Sequence, residues 1–216
     1  MLPSLLGSGE GIVGWCRLWH RGTERLLAVI CGVHVEIRGR EFMPNGPALV
    51  AAKHQCSFDA FAPLTQLPYP CTVAKQELMR IPFFAWHASR GSLLLTVNRE
   101  GHAKALRDLL GKGKDATRRG QQLVIFPEGT RAAVGAAPDY KSGIAGLYAH
   151  LEVPCYPVAT NAGAHWVAGS ILRKPGTIVF QYLPPIPPGL DRKTLMAELQ
   201  GRIEPACQDL LTGAAI

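Results

Sequence analysis

Ala48-Leu49-Val50-Ala51-Ala52-Lys53-His54-Gln55-Cys56-Ser57-Phe58-Asp59 is the stretch on which the reading of this chain turns. Its first five residues, Ala48–Ala52, form an unbroken apolar run of the length of a strand buried on both faces. A polar turn follows, and from Phe58 to residue 66 the pattern becomes helix-like. Strand leading into helix is half of a crossover unit, and the same alternation recurs downstream. Apolar runs at 71–74, 93–97, 123–126, 155–159 and 177–183 read as further strands, and 77–89, 101–110, 140–151 and 193–211 as helices. Strands separated by helices predict a single α/β domain with a largely parallel central sheet flanked by helices. Pro184-Pro185-Ile186-Pro187-Pro188-Gly189 suits neither ladder nor helix and is a stiff connector before the last helix.

Upstream of this domain, apolar residues recur at Ile12, Trp15, Trp19, Leu26, Ile30 and Val33, at helical spacing. Arg17, Arg21, Glu24 and Arg25 interrupt every apolar run before it reaches the roughly 18 residues that a spanning helix needs. The segment therefore reads as an amphipathic helix in a membrane interface, with Trp15 and Trp19 at headgroup depth; the alternative is a helix that packs this stripe on its own domain. The expected division is residues 1–34 for this membrane-surface helix and residues 35–216 for the α/β domain. At 216 residues there is room for one ordinary core.

Lys and Arg number 23 against 16 Asp and Glu, a formal charge of +7. Such a surface attracts anions. The basic residues are spread along the chain and no nucleic-acid module signature occurs, so the partner expected is an anionic membrane surface and not nucleic acid. Six scattered cysteines without a C-x-x-C pair fit a reducing compartment, and the N-terminus lacks the basic-then-apolar order of a signal peptide. The expected location is the cytoplasmic face of the cell membrane, peripheral or monotopic.

Chemistry concentrates at strand ends, where such sheets build their sites. His54 can take a proton from a hydroxyl, and Asp59 can fix its tautomer. In a regular helix the two would stand about 140° apart, so His54 must sit in the turn before the first helical residue. After the 123–126 strand comes Phe126-Pro127-Glu128-Gly129-Thr130-Arg131. There Gly129 permits a sharp turn, Thr130 offers a hydroxyl, Arg131 presents a fork suited to phosphate, and Glu128 is placed to hold that guanidinium. Val97-Asn98-Arg99 brings a second guanidinium to a strand end, and Lys75 and Lys141 can add charge to the same rim.

His54-Gln55-Cys56-Ser57-Phe58-Asp59, then Arg99, then Phe126 to Arg131, then Val153-Pro154-Cys155-Tyr156-Pro157-Val158 resemble the four ordered motif blocks of the glycerophospholipid acyltransferases, the 1-acylglycerol-3-phosphate acyltransferase family. Tyr140-Lys141-Ser142-Gly143 and Pro185-Ile186-Pro187-Pro188-Gly189-Leu190 are similar to its bacterial branch. The resemblance spans residues 35–185. It implies that His54 is the general base, that Asp59 orients it, and that Arg99, Glu128, Gly129 and Arg131 bind the acceptor's phosphate. Two departures stand out. Before Arg99 the family commonly has Gly-x-Ile-x-x-Asp-Arg, and here the run is Leu93-Leu94-Leu95-Thr96-Val97-Asn98-Arg99; Cys56 replaces a common Ser.

The activity implied is transfer of a fatty acyl group from acyl-CoA or acyl carrier protein to the hydroxyl of a lysophospholipid, above all 1-acylglycerol 3-phosphate, giving phosphatidic acid without cofactor or metal. Lyso-ornithine or another lysolipid is the alternative acceptor. A thioesterase, with Cys56 as nucleophile or with water in place of the lipid hydroxyl, and a lipid-surface protein with a dead site, are the competing classes.

Overall fold

The computed structural model describes residues 9–80, 85, 92–97 and 102–213. Helix α1 spans Gly9–Cys31, followed by strands β1 (Val33–Arg38) and β2 (Ala48–Ala52), the short helix α2 (Pro63–Gln66), and strands β3 (Pro70–Lys75) and β4 (Leu94–Val97). Then come α3 (His102–Arg118), β5 (Gln122–Ile125), α4 (Gly143–Leu151), β6 (Cys155–Thr160), α5 (Ala162–His165), β7 (Gly176–Tyr182) and α6 (Arg192–Thr212).

The seven strands form one sheet in the order β1-β7-β6-β2-β5-β3-β4. The five from β6 to β4 run parallel to one another. β1 and β7 are parallel to each other, but β7 meets β6 antiparallel. This inversion brings the starts of β1 and β7 to the sheet edge where β2, β3, β5 and β6 end.

Successive strand residues serve opposite faces. Leu49, Ala51, Leu123 and Ile125 pack with Ile144, Leu147, Leu195, Leu199 and Ile203, which come from α4 and α6. Val50, Val124, Val158, Ile178 and Phe180 join Leu27 of α1 and Phe58 in a second core on the other face. The architecture is thus a largely parallel sheet between helical layers, as the strand–helix alternation predicts.

The differences lie in boundaries. The expected helix over 58–66 is split into a 3-10 turn, Phe58–Ala60, and the single turn of α2. Pro63, at the first position of α2, lacks the amide that a continuous helix would use. The helix expected over 101–110 continues to Arg118, and at Gly113 it passes close to Leu123 and Leu147. Of the helix expected over 77–89, only the 3-10 turn Gln76–Arg80 and Ala85 fall within the described residues.

The expected junction at 34/35 lies inside β1, an edge strand of alternating exposure that was not among the expected strands. The N-terminal stripe also divides. Ile12 and Val33 are fully buried, whereas Trp19, Leu26 and Ile30, with Leu18 and Val29, are exposed. Arg17 does not face solvent as part of a polar side: it donates to the carbonyls of Leu64, Leu67 and Pro68 and ties α1 to the α2 layer. Among the described residues no helix is long and apolar enough to cross a membrane.

Candidate active site

β2 ends at Ala52 and the chain turns through Lys53–Ser57 before the 3-10 turn at Phe58. His54 therefore precedes the first helical residue, and its ring can reach Asp59. His54 Nδ1 lies 3.3 Å from Asp59 Oδ2. The same oxygen accepts the amides of Gln55 at 2.6 Å and Cys56 at 2.8 Å, and Oδ1 accepts the Cys56 thiol at 3.4 Å. Asp59 is 2 % exposed, so these donors supply what water would otherwise provide for a buried carboxylate. The His54 ring, partly open to solvent, stacks on Phe126 with centroids 4.1 Å apart.

The turn is pinned from two sides. Ala132 donates its amide to the His54 carbonyl at 2.8 Å. Gly163, at the start of α5, donates to Gln55 Oε1 at 2.8 Å. A β-carbon on Gly163 would lie 2.8 Å from Val134 Cγ2 and 2.9 Å from Gln55 Cβ, so only glycine fits between the loops that follow β5 and β6. Gln55 and Gly163 were not among the residues singled out in the sequence; their separation of 108 positions hides the contact.

After β5 the chain folds into a tight turn, with Gly129 N donating to Phe126 O at 2.9 Å and Gly129 at φ 66°. The turn delivers Arg131 to the His54 loop: its Nη1 donates to Ser57 Oγ at 3.3 Å, between His54 and Asp59 in sequence. Arg131 and Thr130 are exposed. Lys75 ends β3 at the same sheet edge and is exposed. Lys141 donates its amide to Pro127 O at 2.8 Å, while its ammonium pairs with Asp139 on the surface. Arg99 and Asn98 lie outside the described residues.

Glu128 departs from expectation. It does not hold the Arg131 guanidinium. Its carboxylate is 3 % exposed and lies 3.2 Å from Lys53 Nζ. Lys53 also bonds both oxygens of Glu204 on α6, at 2.7 and 2.9 Å, and Tyr140 donates to Glu204 at 2.7 Å. The reason is burial: a carboxylate inside the molecule needs a cation there, and Lys53, also 3 % exposed, is that cation. Burial raises the Glu128 pKa, against the pull of its own backbone amide and of Lys53. For Lys53, burial acts to lower the pKa, but the bond to Glu204 and the charges of Glu128 and Glu204 outweigh it and hold the ammonium above its ordinary range.

Cys56 is fully buried, and burial followed by the Asp59 charge pushes its thiol far above the ordinary range. A group so resistant to ionisation is a poor nucleophile. Cys56 is therefore poorly placed to serve as the nucleophile of a thioesterase. What remains is an imidazole backed by a buried carboxylate, beside a guanidinium, at the strand ends of an α/β sheet: an arrangement suited to moving a proton while another group is transferred.

Comparison with known proteins narrows this class. The family described as Acyltransferase matches residues 34–161. A 1-acyl-sn-glycerol-3-phosphate acyltransferase of Pseudomonas aeruginosa is 32% identical over 203 residues, covering 89% of this chain and 73% of that protein. A protein of the same name from Cocos nucifera is 28% identical over 176 residues, 78% of this chain and 55% of its own length. The crystal structure of the 1-acyl-sn-glycerophosphate acyltransferase PlsC from Thermotoga maritima superposes with a TM-score of 0.77 at 21% identity, covering 97% of this chain and 86% of that one, and so shares the fold. The chain belongs to the acyltransferase family.

Proposed function

We propose that the protein transfers a fatty acyl group from a thioester, acyl-CoA or acyl carrier protein, to the free hydroxyl of 1-acylglycerol 3-phosphate, forming phosphatidic acid. His54 acts as general base. As the acceptor oxygen attacks the thioester carbonyl, the imidazole takes the hydroxyl proton; the tetrahedral adduct collapses, the C–S bond breaks, and the departing thiolate recovers the proton from the imidazolium. Asp59 keeps Nδ1 protonated, leaving the other ring nitrogen to accept, and stabilises the transient cation. Arg131, with Arg99 and Lys75, holds the acceptor's phosphate by charge, and Thr130 and Gly129 shape the loop beside it. Lys141, already paired, contributes through its amide to the turn.

The observation that carries this reading is the contact of Arg131 with Ser57. It brings a guanidinium, a group suited to phosphate, against the loop that joins His54 to Asp59. The names of the relatives support the acceptor's identity. A direct test incubates purified protein with both donors against a panel of lysolipids and reads products by mass spectrometry. Phosphatidic acid from lysophosphatidic acid, absent in His54→Ala, is expected. Acylation of lyso-ornithine lipid alone, or hydrolysis of the thioester without transfer, overturns it.

A further inference from the structure

The inverted pair β1 and β7 places two exposed apolar elements at the sheet edge that carries His54. The first is the C-terminal end of α1, which enters β1 through Gly32. There Leu26, Val29 and Ile30 are 60, 84 and 73 % exposed. Their spacing of three and four puts them on one helix face. The second is the loop before β7, in which Ile171 and Leu172 are 93 and 75 % exposed.

The two elements are joined. Gly176 donates to the Gly32 carbonyl at 2.9 Å, Val33 is in register with Gly176, and Pro175 lies against Gly32. The loop is also braced. Lys174 donates its amide to His165 O at 2.9 Å, Ser170 Oγ accepts the Leu172 amide at 3.1 Å, and Arg173 stacks 3.7 Å above the Trp166 ring. Trp166 stacks in turn on Phe58, in the same loop as Asp59. A braced loop that exposes two large aliphatic side chains at its tip gains nothing for folding. Large exposed apolar patches mark contact surfaces.

Charge selects the occupant. Arg21 and Arg25 are exposed on α1, and with Glu24 and His34 they line a shallow hollow of about 280 Å3 between α1 and β1, so that two guanidiniums face one carboxylate there. Lys174 flanks the loop tip and is exposed. Glu24 is turned towards His20 and Thr65, Glu36 is paired with Arg38, and residues 153–190 contain no Asp or Glu. An apolar tip fringed by cations repels a second copy of itself and suits a bilayer with anionic headgroups.

We infer that the end of α1 and the 167–174 loop form one docking surface for an anionic membrane, with Ile171 and Leu172 entering the interface beside Val29 and Ile30. The inference rests on the proposed lipid acceptor for its purpose: docking here turns the edge bearing His54 towards the membrane that would supply it. It does not need that activity for its test.

The test is flotation with vesicles of phosphatidylcholine alone or mixed with phosphatidylglycerol, using full-length wild type, Ile171→Asp/Leu172→Asp and Lys174→Glu. Wild type is expected on the mixed vesicles. The double variant should lose roughly ten- to a hundred-fold in partitioning, as expected for two partly inserted aliphatic side chains, with its melting temperature unchanged. Lys174→Glu should lose binding to the anionic vesicles only. Unchanged flotation of the double variant, or no flotation of wild type, overturns the surface. If the double variant instead turns a dimer into a monomer in sedimentation while flotation persists, the patch is a contact between copies. Transfer assayed separately, with acceptor in detergent micelles, should be equal in wild type and the double variant. Its absence in both would refute the proposed activity while leaving the docking result standing.

Discussion

Replacing Lys53 by Met gives the sharpest test of the buried charge cluster. The methionine fills the aliphatic stem but leaves Glu128 with no cation and Glu204 with only the Tyr140 hydroxyl. Removing one partner of a buried pair costs about 3–5 kcal/mol. For a chain of this length a kilocalorie moves the melting temperature by about 2–4 °C, so a fall of roughly 6–20 °C is expected near pH 8. The pH dependence follows from Glu128, whose folded-state pKa is raised. An acid shifted upward favours folding below its unfolded pKa and loses that contribution as pH rises through the folded value. Lys53 opposes the upward shift, so the variant raises Glu128 further and extends the sensitive range to higher pH. The deficit should therefore shrink as the pH falls and Glu128 takes up its proton. Lys53 itself has a raised pKa, and its own contribution is constant through this range and lost only in strong alkali. Urea titrations of both proteins at pH 5 and 8 measure this. A second variant, Lys53→Met/Glu128→Gln, should regain part of the loss at pH 8, because no orphaned charge remains at that position. A deficit that is the same at both pH values, or below about 1 kcal/mol, would show that the cluster is not the buried ion pair described.

Further outcomes concern the site. His54→Ala should abolish acyl transfer in the mass-spectrometric assay while Cys56→Ser retains most of it, since the thiol is buried and un-ionised; the reverse order would restore Cys56 as nucleophile. Asp59→Asn should fold, because an amide oxygen can still accept from the Gln55 and Cys56 backbone, yet turn over about 10⁴-fold more slowly through loss of imidazolium stabilisation and tautomer control. Steady-state rates near those of wild type would take Asp59 out of the mechanism. Arg131→Lys keeps the charge and loses the fork, so the acceptor's apparent KM should rise roughly ten-fold with the donor's nearly unchanged. A rise confined to the donor would place the coenzyme or carrier phosphate at Arg131 instead.

The interior of the sheet was legible because strands buried on both faces read as apolar runs, and β2, β5 and β6 stand where their runs stood. β1 was not. Its exposed His34, Glu36 and Arg38 break the run, and Val33 completes the periodicity of the preceding helix. Nothing local marks the reversed direction of β1 and β7 either, since direction belongs to the pairing and not to the strand. The meeting of His54 and Asp59 could be anticipated because five positions in a turn are a local matter. Glu128 could not be read correctly from its motif: its neighbour in sequence is Arg131, but its partner is Lys53, and the bond that completes the cluster joins Lys53 to Glu204 across 151 positions.

That cluster bears on how His54 can sit beside a lysine. An ammonium adjacent in sequence would oppose protonation of an imidazole if both faced the same solvent pocket. Here the alternation of β2 carries on past Ala52. Lys53 turns to the face of α6, where Glu204 and Tyr140 meet it, and His54 turns to the opposite face, against Phe126 and Asp59. Each group then has its own carboxylate, with the sheet between them. Lys53 is bound to the site by its backbone as well, since its amide donates to Val158 O at 2.9 Å. Its side chain fixes the root of the His54 loop to α6, which lies beyond the region, residues 34–161, matched to the family. Helix α6 is in this way tied to the residue immediately before His54, and Glu204→Gln should loosen that root without altering the His54–Asp59 pair itself.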